Sequence, residues 1–132
     1  MAVDAIKLDF TSEFKGTMIT PKGEFEIGRY EAGLRPYHML LGALGSCFYA
    51  TFLEIIEKKR LTFEGATIEV SGTQRKEIPT TLDYVLIKMT VANASNEEQF
   101  TKSAQLGAKY CSIFDTISKV AKIEVIVEFT NK

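Results

Sequence analysis

The chain has 132 residues, and its 45% hydrophobic and 25% charged content is typical of a globular domain rather than a disordered or fibrous chain. Sixteen Lys and Arg residues balance seventeen Asp and Glu residues, giving a formal net charge of -1. This balance and the lack of an uninterrupted apolar run of about 20 residues argue against nucleic-acid and membrane partners. We expect a single domain over residues 1–132. The N-terminal segment alternates in polarity, unlike a signal peptide, so we expect a cytoplasmic protein.

Short strands are predicted in the first thirty residues. Residues 5–10 and 14–19 are strand candidates, and the second is followed by a Thr-Pro-Lys-Gly segment that is typical of a tight turn. Residues 24–27 alternate with period two and form the returning strand of a hairpin.

The segment from Pro36 to about Lys59 is predicted to be one long helix, because Pro fits the first helical turn. Apolar residues occupy nearly every face as far as Leu53, so we expect the helix to be buried on all sides. At 1.5 Å per residue it would be about 36 Å long, and a second subunit is expected to cover part of it. The helix also contains four small residues, which would let another backbone approach closely or, alternatively, serve ordinary packing. They are Gly42, Ala43, Gly45 and Ser46.

Two long strands are predicted next, over residues 61–75 and 82–91. Ser95 and Glu98 have the spacing of a capping box, which predicts that a helix begins at Ser95 and runs to Cys111. A short helix over 112–119 and a strand over 123–129 complete the chain. This order of elements predicts an α+β fold with a mainly antiparallel sheet.

Candidate reactive groups are few. The single histidine, His38, and the two cysteines, Cys47 and Cys111, lack the close pair spacings of a zinc site, so no metal is expected. A free cysteine is often a buried packing residue. Two cysteines in a reducing compartment are, alternatively, a redox pair.

Peroxide chemistry needs a thiolate nucleophile, a cation that lowers its pKa, and a second thiol that captures the sulfenic acid. Arg29 and Arg35, just before the long helix, are the candidate cations, and Glu31 and Glu54 are the carboxylates that could orient them.

The segment PYHMLLGALGSCF, from Pro36 to Phe48, resembles the signature helix of the OsmC/Ohr family of osmotically inducible and organic-hydroperoxide-resistance proteins. The predicted element order over the whole chain and the separation of the two cysteines are similar to that family as well. The resemblance implies an OsmC-like fold in which two long, buried central helices cross in an intertwined homodimer, with the active site at the subunit interface.

For the peroxidases of the family, the resemblance implies that Cys47 is the peroxidatic cysteine, which attacks the O–O bond of an organic hydroperoxide. Cys111 would be the resolving cysteine that closes a disulfide. A lipoyl or other dithiol reductant would restore both thiols, and no bound cofactor is expected. The alternatives are a non-peroxidase dimer that binds an apolar ligand or senses electrophiles through its cysteines, and a purely structural stress protein.

The chain departs from the family around the expected site. Tyr37 stands where the hydroperoxidases carry a Glu, a Phe-Lys pair ending at Lys15 stands where their hairpin carries an Arg, and Ser112 stands where many members have Pro. We therefore expect His38 or Arg35 to support the thiolate, and Tyr37 to be an interface aromatic.

Overall fold

The computed structural model describes residues 1–131, which form two compact units, Met1–Leu40 and the residues from Leu41 onward. The elements in chain order are β1 (Lys7–Phe10), β2 (Lys15–Thr20), β3 (Gly23–Gly28), α1 (Pro36–Lys58), β4 (Gly65–Gln74), β5 (Leu82–Ala92), α2 (Glu97–Tyr110), α3 (Ser112–Ser118) and β6 (Lys122–Thr130). The strands make two sheets, β1-β2-β3 and β4-β5-β6. This mixed architecture confirms the α+β prediction.

The first unit is an antiparallel sheet with one apolar face. Leu8 pairs with Met18, which pairs with Phe25, so the three side chains form a row across the sheet. The predicted turn is present, and its Thr20 hydroxyl donates to the Gly23 carbonyl oxygen at 3.0 Å. Gly23 adopts a positive φ of 141°, which glycine accommodates without steric cost.

The second sheet contains the one departure from antiparallel pairing among the described strands. β4 and β5 are antiparallel, whereas β5 and β6 are parallel. A parallel neighbour requires a crossover connection, which α2 and α3 provide. The inner face of β5 is fully buried through Val85, Ile87, Met89 and Val91. Strand pairing is therefore mainly antiparallel, as predicted, but the strands form two sheets rather than the one sheet that was predicted. The parallel pairing is a feature that the sequence pattern did not reveal.

Helix α1 buries a stripe rather than its whole circumference. Its fully buried large side chains recur every four residues, at Leu44, Phe48, Phe52 and Ile56. The expectation of burial on every side does not hold within a single chain, since Leu40 keeps 38% of its surface exposed. By length and composition alone α1 is also apolar enough to cross a membrane, a test that core helices of globular domains pass as well.

An aromatic cluster joins α1 to the rest of the second unit. The Phe52 ring centroid lies 5.9 Å from that of Phe100 in α2 and 6.5 Å from that of Phe63. Gly107 in α2 lies directly against Phe52: a Cβ atom added at Gly107 would lie 3.2 Å from the Phe52 Cα atom. The backbones of α1 and α2 therefore come close at this point.

The predicted capping box at Ser95 is wrong. Asn96 is the N-cap of α2, and its side-chain oxygen accepts a hydrogen bond from the Gln99 N–H at 3.1 Å. Ser95 instead accepts from the Thr62 N–H at 3.0 Å. Ser and Asn cap helices about equally well, so a tertiary contact of Ser95 decides which of two adjacent residues caps this helix.

We expect Phe52→Ala to lower the free energy of unfolding by about 3 to 5 kcal/mol, because the substitution leaves a cavity among packed aromatic rings. Urea unfolding followed by circular dichroism measures the change. Tyr110→Ala is the control, because Tyr110 is 64% exposed; its loss should cost about 0.5 kcal/mol or less. Equal losses in the two variants would contradict the position of Phe52 in the core.

Candidate active site: a pair of thiols

The structure brings the two cysteines together. Cys47 lies in α1 and Cys111 lies between α2 and α3, and the Cys111 Sγ donates a hydrogen bond to the Cys47 Sγ at 2.9 Å. Both are free thiols. Cys111 is 1% exposed, whereas Cys47 is half-buried. Residues 64 positions apart in the chain thus meet, with Cys47 as the more accessible sulfur.

Local backbone conformation positions Cys111. Its φ of −79° and ψ of 120° are extended, so the residue ends α2 and serves as the N-cap of α3. Its Sγ accepts a hydrogen bond from the Phe114 N–H at 3.4 Å. The break between the two helices therefore fixes the Cys111 side chain and leaves its S–H directed at Cys47.

The environment of Cys47 favours the thiolate. Burial opposes ionisation, but hydrogen bonds outweigh it and lower the pKa of Cys47. The Cys111 S–H, which donates to Cys47 at 2.9 Å, has the largest of these effects, and the adjoining residues Ile113 and Ser112 lower the pKa to a smaller extent. These three residues are consecutive at the start of α3.

The environment of Cys111 has the opposite effect. Burial raises the pKa of Cys111, and so does its role as the donor to Cys47, while the Phe114 N–H lowers it to a smaller extent. Two adjacent thiols of this kind titrate as a pair. The first proton leaves from Cys47, and the proton on Cys111 remains between the two sulfurs.

Apart from Glu54 of α1, the other candidate residues lie in the first unit, with Arg29, Glu31 and Arg35 before α1 and Tyr37 and His38 in its first turn. The Arg35 N–H donates to the His38 Nδ1 at 3.0 Å, which makes Nδ1 the unprotonated nitrogen. The Arg29 guanidinium lies 6.0 Å from the centroid of the Phe14 ring. Support of the thiolate by Arg35 or His38 stays a prediction.

Sequence reasoning missed Ser112 and Ile113 as residues that lower the pKa of Cys47. The available signal was their position directly after a cysteine at a predicted junction between helices. Within residues 1–131, no cluster of three or more His, Cys, Asp or Glu side chains is placed to hold a metal ion.

We expect iodoacetamide to label Cys47 before Cys111 at neutral pH, because the pKa of Cys47 is lowered and that of Cys111 is raised. The labelling rate of Cys47 should fall as the pH drops through its lowered pKa. Cys111→Ala removes the strongest donor, so it should move the midpoint of this pH profile upward. Cys111→Ser keeps a hydroxyl donor and should move it less. Peptide mass spectrometry resolves the two sites, and earlier labelling of Cys111 would contradict this assignment.

Comparison with known proteins gives a family and a set of solved structures with the same fold. The family model described as OsmC-like protein matches residues 29–126. No curated protein matches the chain. A hypothetical protein from Aquifex aeolicus is 26% identical, with a TM-score of 0.89, and the match covers 100% of this chain and 99% of that chain.

Two further structures share the fold at lower identity. An OsmC-like protein from Vibrio cholerae is 19% identical, with a TM-score of 0.83 and coverage of 96% of this chain and 100% of that chain. An organic hydroperoxide resistance protein from Elizabethkingia anophelis is 16% identical, with a TM-score of 0.74 and coverage of 98% and 99% respectively. Since the family model spans most of the sequence, the chain belongs to the OsmC-like protein family.

Proposed function

We propose that the protein is a thiol-dependent peroxidase that reduces organic hydroperoxides, with Cys47 as the peroxidatic cysteine and Cys111 as the resolving cysteine. The observation that carries this proposal is the 2.9 Å contact between their sulfur atoms. The opposite pKa directions of the two thiols support the assignment of roles. A nucleophile must be a thiolate and accessible, which describes Cys47 rather than Cys111.

The reaction proceeds in three steps: reduction of the peroxide, formation of the disulfide, and reduction of the disulfide by an external dithiol. The Cys47 thiolate attacks the terminal oxygen of the hydroperoxide, the O–O bond breaks, and the alkoxide leaves and takes a proton to give the alcohol. Cys47 becomes a sulfenic acid. Cys111 then gives up its proton and attacks the Cys47 sulfur, and hydroxide leaves as water while the disulfide forms. An external dithiol, lipoyl or similar, reduces the disulfide by thiol exchange.

The surroundings of Cys47 support an organic substrate rather than hydrogen peroxide. Cys47 packs against the hydrophobic core of the second unit. An apolar substituent on the peroxide gains free energy from such contacts, whereas hydrogen peroxide has none to offer. A solved structure with this fold is an organic hydroperoxide resistance protein, which agrees with this substrate class.

A homodimer is part of the proposal. The apolar row of the first sheet is exposed, with Leu8 at 45% and Phe25 at 44% of their surfaces, and Leu40 on α1 is exposed as well. A monomer rarely leaves a contiguous apolar face in water, so a second copy is the expected cover. We place the protein in the cytoplasm, where dithiol reductants are available.

Electrophile sensing is the alternative that the same thiolate favours. A half-buried, hydrogen-bonded thiolate reacts with electrophiles whether or not it turns over a peroxide. An open groove of about 430 Å³ lies at one end of the second sheet. Its lining includes three threonines and Glu64, and neither cysteine is part of it. That groove therefore does not supply a pocket for an apolar ligand beside the thiols.

The deciding experiment treats fully reduced protein with one equivalent of cumene hydroperoxide. We expect rapid loss of both thiols and the intact mass of an intramolecular disulfide, with a slower reaction in a parallel hydrogen peroxide sample. Thiols that survive unchanged would contradict the peroxidase and leave the sensing or binding alternative.

Two single variants separate the roles of the cysteines. Cys47→Ser should abolish peroxide consumption, because the nucleophile is gone, while the fold remains intact. Cys111→Ser should consume about one equivalent and leave Cys47 as a sulfenic acid or a more oxidised form. Full activity of Cys47→Ser would exclude the mechanism.

The dimer is tested by Leu8→Glu, which places a carboxylate in the exposed apolar row. We expect this variant to dissociate at concentrations where the wild-type chain is a dimer, as measured by size-exclusion chromatography with light scattering. Lys7→Glu is the control, because Lys7 lies on the same strand but on the opposite face. A wild-type chain that behaves as a monomer would contradict this part of the proposal.

A further inference from the structure

Helix α2 runs back along α1, and the thiol pair is the last of three contacts between the two segments. The contacts occur in reverse order along the chain, and they are Lys59 with Gln99, Phe52 with Gly107, and Cys47 with Cys111. The first joins the ends of two long side chains, with the Lys59 Nζ donating to the Gln99 Oε1 at 3.1 Å. The middle contact is of a different kind, because it is made by the backbone.

The contact at Gly107 leaves no room for a side chain. A Cβ atom added there would lie 3.2 Å from the Cα and Cβ atoms of Phe52 and 3.3 Å from its backbone N atom. Phe52 lies inside α1, is fully buried, and has its ring 5.9 Å from that of Phe100. Helix backbone cannot rotate away as the end of a flexible side chain can. A side chain at position 107 would therefore shift α2 away from α1 by a few tenths of an ångström.

This contact lies close to the two sulfur atoms. Cys111 follows Gly107 by four residues and Cys47 precedes Phe52 by five, which correspond to about 6 Å and 7.5 Å of helix. Cys111 is 1% exposed, and its Sγ is tied to the Phe114 N–H at 3.4 Å. A shift of α2 at Gly107 is therefore passed on to the Cys111 sulfur, while the Cys47 sulfur stays with α1.

We propose that Gly107 is a positioning residue for the resolving step: without a side chain against Phe52, it holds the Cys111 sulfur close enough to Cys47 for a sulfenic acid to become a disulfide rather than persist. Gly107 acts through the position of Cys111 and not by contact with a reacting atom. The inference rests on the proposed function for its role in turnover. The same position also governs the equilibrium of the disulfide with a small dithiol, which is measured without a peroxide.

Disulfide closure brings the two sulfur atoms from 2.9 Å to bonding distance. In turnover the Cys111 sulfur bonds to the Cys47 sulfur, the S–O bond of the sulfenic acid breaks, and the hydroxide leaves as water with the proton of Cys111. In exchange with dithiothreitol, the cysteine pair gives two electrons and two protons to the oxidised reagent. A longer starting distance has to be recovered in both reactions, so it slows closure and weakens the disulfide.

The experiment compares Gly107→Ala with the wild-type chain. A misplacement of about 1 Å costs on the order of a hundredfold in rate, so we expect closure to slow by roughly threefold to tenfold. Dimedone added with one equivalent of cumene hydroperoxide traps the Cys47 sulfenic acid, and intact mass spectrometry measures trapping against disulfide formation. The initial loss of the Cys47 thiol should keep its rate, because α1 is unchanged. The equilibrium with dithiothreitol should shift toward the protein dithiol by a similar factor.

Two further variants distinguish positioning from a structural role. Gly107→Ser adds the same Cβ atom with a lower helix propensity than Ala, so an equal loss in both variants reports the steric contact rather than helix stability. Gly65→Ala is the control: among residues 1–131, no atom beyond its chain neighbours lies within 4 Å of a Cβ atom added there, and closure should be unchanged. Urea unfolding of the reduced proteins should show no loss of stability in Gly107→Ala, because Ala favours the helix.

Closure and a dithiothreitol equilibrium that stay at wild-type values in both Gly107 variants would overturn the inference. A Gly107→Ala chain that no longer folds would overturn it as well, because the contact would then hold the fold rather than position a thiol. If the dithiothreitol equilibrium shifts as expected but the wild-type protein does not react with cumene hydroperoxide, the proposed function fails and the positioning of Cys111 by Gly107 stands.

Discussion

The close approach of α2 to α1 at Gly107 is the constraint on which the thiol pair depends. A side chain at this position would meet the backbone of Phe52 at 3.2 Å, so glycine lets the two helices come this near. Cys111 follows one helical turn after Gly107, and Cys47 lies five residues before Phe52. The contact therefore sets the distance between the segments that carry the sulfur atoms, and the extended backbone of Cys111 then points its thiol across the gap.

Chemically identical side chains acquire different roles from their surroundings. Burial opposes ionisation of both thiols, yet Cys47 accepts the hydrogen bond between the two sulfurs, which lowers its pKa, while Cys111 donates that bond, which raises its own pKa. Acceptance of hydrogen bonds stabilises a negative charge, and donation stabilises the protonated form. The start of α3 therefore favours the thiolate at Cys47 over the thiolate at Cys111, and it does so with neutral donors.

Surfaces of both units remain apolar and exposed in the single chain. In the first unit the row of Leu8, Met18 and Phe25 forms one face of a thin sheet, which three strands cannot bury by themselves. In the second unit α1 covers the core with one stripe and leaves other apolar side chains half-buried. Both features fit a protein that completes its core by association, which is the basis for proposing a dimer.

Local patterns predicted the order of elements and the long helix beginning at Pro36, because helix and strand periodicity and turn chemistry act over a few residues. They also singled out the two cysteines as candidate reactive groups. Contacts between distant segments were not readable in this way. The parallel pairing of β6, the choice of Asn96 over Ser95 as the cap, and the 2.9 Å approach of two sulfurs 64 residues apart arise from packing of whole elements. The hydrogen bond to Cys47 belongs to the same class. A cysteine between two predicted helices has no special meaning in a one-dimensional pattern, and it gains one here because the fold carries the start of α3 to the side of α1.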